Sequence, residues 1–573
     1  MRTWSKLALL FVLLVLVKTL LASFVLAPSS PSDDYAYAKM AWSFFNFGTF
    51  SIHDVPSNQY PPLYPIFISL SYLFQDMRLV FLAMKFINVI LSSLIIFPAF
   101  FLAREFFDDK KSVIVALVVS VLPMSFAFSG YILAENLFYT LFLAAFYFCY
   151  KSIKEDDWRW DVLAGVFLGL SFLTRVIAFG LVLAVLVLSV YLFVRGKIKW
   201  GNKLLMALSF FIVVFPWLLR NGLLYGFTVS GFLGSYSTSE AGGLSLSLPL
   251  LAIFAYWFLV YSIYLLIAGF ALIPLLSLSI FREKKLLDYF LLSVLTVIFV
   301  KLAAVNHNLY IPWNLCSSEF CGLLYSKLMG RYVDVILPIV VVNGFIGLGM
   351  LRRNKFFKYV LLFSVPFFIA SFVLLFYQLF PPNNVVLSWL GFLRYAFEFV
   401  VFRKSSFGTE FSMLTFVVFT LFFVALSLVI VLFKKRFTFR NVALLYFILM
   451  LGTSLVGYGM VYYNANRYWY ANPQTQMGLW FNDYDKGRAS VVLFDSRDEG
   501  VIQKSDGGGV YEDLGNGRSA TVMGFWMDDE IVIGDALNPV GADYVVSKHK
   551  LDLEIINSID DIYLYRVGGL ISL

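Results

Sequence analysis

Residues 7–27 read Leu-Ala-Leu-Leu-Phe-Val-Leu-Leu-Val-Leu-Val-Lys-Thr-Leu-Leu-Ala-Ser-Phe-Val-Leu-Ala, with a single charge, Lys18. As a helix rising ~1.5 Å per residue, this stretch is about 30 Å long, the thickness of a bilayer's hydrocarbon core. The preceding Met1–Lys6 is basic, as in a cleaved leader. The apolar stretch, however, has the spanning length rather than the shorter length of a signal core, and Pro28 and Pro31 surround any cleavage position. It reads as a retained first membrane helix.

The rest of the chain is made of the same material. Of its 573 residues 60% are hydrophobic and 14% charged, with 63 Phe and 33 Tyr; a soluble chain carries about a quarter charged residues. Further apolar runs cover 79–103, 112–130, 133–150, 161–174, 176–194, 203–219, 248–280, 286–304, 333–351, 356–380, 410–433 and 441–463. The run 248–280 is long enough to be tilted or broken. The expected architecture is a polytopic α-helical membrane protein of about thirteen transmembrane helices.

Basic residues collect in cytoplasmic loops. With the N-terminus inside, alternate loops hold Arg104-Lys110-Lys111, Lys151-Lys154-Arg159, Arg195-Lys197-Lys199-Lys203, Arg282-Lys284-Lys285, Arg352-Arg353-Lys355-Lys358 and Lys434-Lys435-Arg436-Arg440. Together with Arg2 and Lys6 these are 23 of the chain's 44 Lys and Arg. The pattern places the N-terminus in the cytoplasm and the C-terminal end outside. It also accounts for the net charge of +8 without nucleic acid, because the basic residues sit between spans.

Five features then face outward: the loop 28–78, the turn near Glu135, the loops 220–247 and 305–332, and the C-terminal end. Segment 61–75 is too short to span and reads as an interfacial or re-entrant helix, as does 35–46 with Met40, Ala41, Phe44 and Phe45 at helical spacing. Cys316 and Cys321 share one outer loop, where bridged and unpaired states are both open. Cys149 reads as a small apolar residue within a span.

The pattern changes from about Asn472. Residues 464–573 carry nine Lys and Arg against seventeen Asp and Glu. Short β-rich runs appear at Ser490–Phe494, Thr521–Trp526, Asp543–Val546 and Ile562–Val567, separated by turn signals at Asp506–Gly509 and Gly515–Gly517. The division expected is a membrane domain over 1–471, including the outer loop 28–78, and a small extracytoplasmic α/β domain over 472–573.

Several side chains have the chemistry for a site. Asp33 and Asp34 open the first outer helix, with Ser32 as the expected cap; acids there also serve the helix dipole alone. A carboxylate at that depth suits general-base work on an acceptor hydroxyl. Glu135 is an acid at the mouth of two spans, where ionisable groups are costly and mark function, although a helix end lets it reach water. Lys85, Arg175, Arg220, Lys301 and Arg331 stand at outer helix ends, fitting either headgroup anchoring or a cradle for a lipid-linked phosphate. His53, His307 and His549 lack metal-ligand spacing. His53, Glu135 and His307 are the candidate ligands for a divalent metal, which their spacing leaves open without indicating it. No phosphate loop, nucleophile elbow or zinc motif is present.

The order of motifs is more specific than any one of them. Ser32-Asp33-Asp34-Tyr35-Ala36-Tyr37 is followed by Phe47-Gly48-Thr49-Phe50-Ser51, Tyr60-Pro61-Pro62-Leu63-Tyr64-Pro65, Leu133-Ala134-Glu135, Phe172-Leu173-Thr174-Arg175, Pro216-Trp217-Leu218-Leu219-Arg220-Asn221 and Gly330-Arg331-Tyr332. This resembles the GT-C superfamily of membrane glycosyltransferases, of the protein-mannosyltransferase and lipid A aminoarabinose-transferase type, in an archaeal-like form. The C-terminal Gly524-Phe525-Trp526 and Gly541-Ala542-Asp543-Tyr544-Val545 resemble the soluble ends of archaeal members.

The resemblance implies an inverting transferase that takes a sugar from a polyprenyl-phosphate carrier and passes it to a lipid, glycan or protein acceptor on the outer face of the cell membrane. By position Asp33 matches the catalytic base. Members usually have Glu where Asp34 stands, which leaves the second acid's role open. Glu135 matches an acid that positions acceptor or metal, and Lys85, Arg175, Arg220 and Arg331 are the expected donor-phosphate ligands. Two alternatives compete: an oligosaccharyltransferase, whose Trp-Trp-Asp motif this chain lacks, and a lipid or solute transporter, whose repeated halves and broken midplane helices the sequence does not show.

Overall fold

The computed structural model describes residues 2–567 apart from 53–54, 156, 235–247, 310–326, 351–370, 404–416, 419–420, 422–423, 426–437, 486–489, 500–518 and 528. The helical membrane architecture is borne out. Among the described residues eight helices are long and apolar enough to cross a membrane, or nine if the pair Asp109–Ser120 and Pro123–Gly130, bent by 68°, is one span. The runs 133–150 and 161–174 form the helices Glu135–Lys154 and Trp158–Phe172. The run 248–280 is broken rather than tilted: helix Leu248–Ala268 stops where Phe270 and Ala271 both take positive φ, 53° and 52°, and helix restarts at Leu272. Two successive side chains in that region are uncommon and end a helix. Most of the expected spans 410–433 and 356–380 lies outside the described residues, as do Cys316, Cys321 and His53.

Helix Ser388–Phe402 falls between the expected spans 356–380 and 410–433. It is 15 residues long, below spanning length, and is laced by an Arg394–Glu398 pair at 2.8 Å, four residues apart.

The chain forms two compact units. One, here the helical unit, comprises Met1–Leu16, Leu91–Phe128 and Glu135–Met460; the other, the mixed unit, comprises Val17–Ile90, Ser129–Ala134 and Val461–Leu573. In the helical unit small residues let helices touch backbone to backbone. A Cβ on Gly165 would stand 2.1 Å from the Met206 carbonyl oxygen, and one on Gly347 would stand 2.0 Å from that of Leu276. Without a hydrophobic driving force between spans, such close approach supplies the packing.

The mixed unit begins in the last turns of α1 (Arg2–Ser23). It continues through α2 (Pro31–Phe47), a two-residue hairpin of β1 (Ser51–Ile52) and β2 (Val55–Pro56), α3 (Leu63–Ser69) and α4 (Met77–Ser93). Both surface segments expected to be helical in the outer loop are so. The segment Leu63–Leu73 is apolar but short, and it leaves Phe67, Leu70, Leu73 and Phe74 exposed, as an interfacial helix requires.

The C-terminal segment opens with helix Pro473–Asp485 and builds a five-stranded sheet. Its strands are β3 (Val491–Asp495), β4 (Glu530–Gly534), β5 (Tyr544–Ser547), β6 (Glu554–Ile559) and β7 (Ile562–Arg566), in the order β4-β3-β5-β7-β6. Strand β3 runs parallel to β4 and β5, and β7 is antiparallel to β5 and β6. Leu493, Ala536, Val545 and Tyr565 form its buried core. Three of the four expected strands are present. The fourth, Thr521–Trp526, is helical instead: Ser519–Val522 is α and Gly524–Trp526 is 3₁₀. Packing overrides β propensity there, because Gly478 of helix Pro473–Asp485 lies against the Met523 carbonyl, with 2.7 Å left for a Cβ. The turn signals at 506–509 and 515–517 fall outside the described residues.

Within the mixed unit the C-terminal segment is joined to α2. The Lys39 ammonium, buried, donates to the Met527 carbonyl. Beside it stands Asp529, whose carboxyl is pushed up to about 7 by burial, by the charge of Asp485 and by a hydrogen bond to Asp485, against the Ser490 amide and Lys39. The unfolded chain releases this proton near 3.8, so folding is favoured least once both states have lost it. Stability of this unit is therefore expected to fall as pH rises from about 4 to about 7 and then to level off. Thermal unfolding of Asp529→Asn should lack that fall; equal slopes in parent and variant would refute the assignment.

Candidate functional site

Chemistry-bearing side chains gather in two places, one in each unit.

In the mixed unit the site begins at the start of α2. The helix opens at Pro31, whose missing N–H and fixed φ suit the first position, so Ser30 rather than Ser32 is the capping residue. The Ser30 side chain makes no cap bond. The work is done by Asp34, fully buried, whose Oδ2 accepts from the amides of Ser29 at 3.0 Å and Ser30 at 2.9 Å. An acid reaching back to the amides at its own helix start satisfies donors that lack a partner within the helix. Burial raises the Asp34 carboxyl well above 3.8; the Ser30, Ser29 and Ile132 amides oppose this, and the charge of Asp33 adds to it. Asp34 is an anchor inside the fold.

Asp33, one residue earlier, is only half-buried. Its Oδ1 accepts from the Tyr60 hydroxyl at 2.5 Å. The Tyr60 ring lies 4.5 Å from that of Tyr37, which meets Tyr64 edge-on at 4.9 Å. Tyr64 donates to Asn88 Oδ1 at 3.0 Å, and the Asn88 amide donates to the Tyr131 carbonyl at 2.8 Å. Three tyrosines, Tyr37, Tyr60 and Tyr64, thus form one braced cluster beside the acid.

Lys85, on α4, donates to the carbonyls of Ala22 at 2.8 Å and Val25 at 2.5 Å. It caps the C-terminal end of α1, where carbonyls lack helical partners. Its ammonium stands 4.5 Å above the Phe81 ring, which meets Phe525 and Trp526 edge-on at 5.7 and 5.6 Å. The Gly524-Phe525-Trp526 motif is therefore a brace behind this lysine.

In the helical unit Glu135 is fully buried. Its Oε1 pairs with Arg175 and lies 3.8 Å from the Arg331 guanidinium. Both arginines stack on Tyr332, at 5.2 and 5.7 Å, and His307 meets the same ring edge-on at 4.9 Å. Tyr139 donates to the Arg331 carbonyl at 3.1 Å. Asp334 is also fully buried and accepts from Tyr264 at 2.8 Å. Among the described residues, Glu135 Oε2 and Asp334 Oδ2 have no hydrogen-bond partner. The glycine of Gly330-Arg331-Tyr332 has a steric reason: a Cβ there would stand 2.1 Å from the Tyr264 hydroxyl. Its amide donates to Asn384 at 2.9 Å, which fixes the turn that presents Arg331.

The structure thus brings Glu135, Arg175, Arg331 and His307 together. Arg220, in the same unit, lies over the Trp217 ring at 4.8 Å and donates to Asn221 Oδ1 at 2.9 Å. Among the described residues no grouping of three metal ligands includes Glu135 or His307, and Glu135 Oε1 is already engaged by Arg175, with the Arg331 guanidinium 3.8 Å away. The grouping that does occur, Asp495, Asp498 and His549, has Asp495 held by Arg497 at 2.6 Å and Ser547 at 2.6 Å. Sequence reasoning gave no role to Tyr60, Tyr332, Asp334 or Lys39. Tyr60 and Tyr332 stood inside quoted motifs and were the legible ones.

Residues 59–219 match the dolichyl-phosphate-mannose-protein mannosyltransferase family. The fold is similar to that of ArnT from Cupriavidus metallidurans. Its structure bound to undecaprenyl phosphate aligns over 98% of both chains with a TM-score of 0.58 at 16% identity. Its apo structure aligns over the same shares, with a TM-score of 0.57 at 15% identity. No curated protein matches the chain by sequence. The resemblance read from the motifs is borne out: the chain has the fold of the GT-C superfamily and carries, over 59–219, the mannosyltransferase family's sequence pattern.

Proposed function

We propose that the protein is a glycosyltransferase that moves a sugar from a polyprenyl-phosphate carrier to an acceptor hydroxyl on the outer face of the cell membrane, with inversion at the transferred carbon. The observation that carries the reading is Asp33, a half-buried carboxylate gripped by a tyrosine at the start of a surface helix, in a chain with this fold. ArnT binds undecaprenyl phosphate, which supports a polyprenyl monophosphate as the carrier. The acceptor class, lipid, glycan or protein, is left open by the residues.

In this reading the acceptor oxygen attacks the anomeric carbon while Asp33 takes its proton. The bond from that carbon to the phosphate oxygen breaks, and the polyprenyl phosphate leaves with the electron pair and one further negative charge. Fixed cations stabilise that charge as it develops. Arg175 and Arg331 have the chemistry for the task, because planar guanidinium groups engage phosphate oxygens in pairs; in the unit that holds Asp33, Lys85 supplies a cation. Lys85 spends two donors on Ala22 and Val25 and, as an ammonium, has a third. Arg220 offers a further guanidinium to the headgroup.

The test is release of polyprenyl phosphate by purified protein in lipid vesicles from a panel of polyprenyl-phosphate sugars, beside polyprenyl-diphosphate glycans and nucleotide sugars. Turnover of monophosphate donors alone is expected. Turnover of diphosphate glycans would move the protein to the oligosaccharyltransferase reading, and turnover of nucleotide sugars would end the polyprenyl reading.

A further inference from the structure

Tyr60 stands where a catalytic carboxylate would be tuned. Its hydroxyl donates to Asp33 Oδ1 at 2.5 Å, at the short end for such a bond. Its ring is fixed by Tyr37 at 4.5 Å, and Tyr37 by Tyr64 at 4.9 Å. Tyr64 is bonded to Asn88, and Asn88 to the Tyr131 carbonyl. The backbone is constrained too. A residue before proline is confined to extended conformations, and Tyr60 precedes Pro61, with Pro62 serving as the N-cap of α3. The Tyr-Pro-Pro sequence thus holds a phenol at a set position between a hairpin and a helix, facing the acid of α2.

Resting on the reading of Asp33 as the base, we propose that Tyr60 is a positioning residue for it. Tyr60 fixes the rotation of the carboxylate by holding one oxygen and stabilises its ionised form, so that it is ready to accept a proton. A bare packing role would be met by the ring alone; the hydroxyl is what the geometry adds. Tyr60→Phe isolates that hydroxyl, because the ring and its stack on Tyr37 are kept.

The experiment compares the parent, Tyr60→Phe, Asp33→Asn and the double variant on one polyprenyl-phosphate sugar across pH. Losing a hydrogen bond to a charged group is expected to lower kcat about tenfold or more, with donor KM little changed. Without the donor the carboxylate holds its proton more tightly, so the acidic limb of kcat should move to higher pH. In the double variant Tyr60→Phe should add nothing to Asp33→Asn. Tyr60→Phe with the parent's rate and pH profile, beside an inactive Asp33→Asn, would overturn the inference alone. An undiminished Tyr60→Phe effect in the Asp33→Asn background would show a packing role and also overturn it. Full activity in Asp33→Asn would remove the base assignment, and the inference with it.

Discussion

Asp33→Asn is expected to lower transfer from a polyprenyl-phosphate sugar by about 10²–10⁴-fold, the usual contribution of a positioned general base. The size follows from what the substitution takes away. An amide cannot accept the acceptor hydroxyl's proton, so the nucleophile must attack unassisted. The fold should tolerate the change. Asp33 is half-buried, and an Asn oxygen in the place of Oδ1 still accepts from Tyr60. Initial rates at saturating donor, with thermal unfolding as a control for folding, check this. A variant with parental rates would make Asp33 an ordinary first-turn acid that serves the helix dipole.

The second large effect is on stability. Glu135→Ala and Arg175→Ala are each expected to destabilise the helical unit, by up to about 3–5 kcal/mol, because each breaks a buried ion pair. The burial is severe: the Glu135 side chain is 0% exposed and that of Arg175 is 7% exposed. Glu135→Ala also leaves Arg331 without the carboxylate 3.8 Å away, so of the two it should be the more damaging. The double variant should cost less than the two single losses added together, since the second removal finds the ion pair already broken. Unfolding in lipid nanodiscs measures all three. Strict additivity would mean that the pair is not an interacting unit.

Much of this was legible in the sequence because a bilayer leaves few solutions. Backbone groups in hydrocarbon must be satisfied within the segment, so long apolar runs such as 7–27 can only be helices. Helix Ser388–Phe402 escaped notice for the converse reason, since it is too short for a reading based on spanning length. Thr521–Trp526 was misread because its helical form depends on Gly478, a residue more than forty positions away. The sites show the same division. Asp33, Glu135, Arg175 and Arg331 could be singled out by charge and depth alone. That Asp34 is a buried cap and Asp33 the half-exposed acid could not be told from two identical neighbours; it depends on which carboxylate meets the Ser29 and Ser30 amides. The reason for Tyr60-Pro61-Pro62 likewise became visible only when the phenol was found on Asp33.

The central claim is a single displacement at the anomeric carbon, assisted by one carboxylate. It is tested most directly by the anomeric configuration of the product, read by NMR, from a polyprenyl-phosphate sugar of known configuration. The account predicts inversion. Retention would require a covalent glycosyl-enzyme or an equivalent second displacement and would contradict the role given to Asp33.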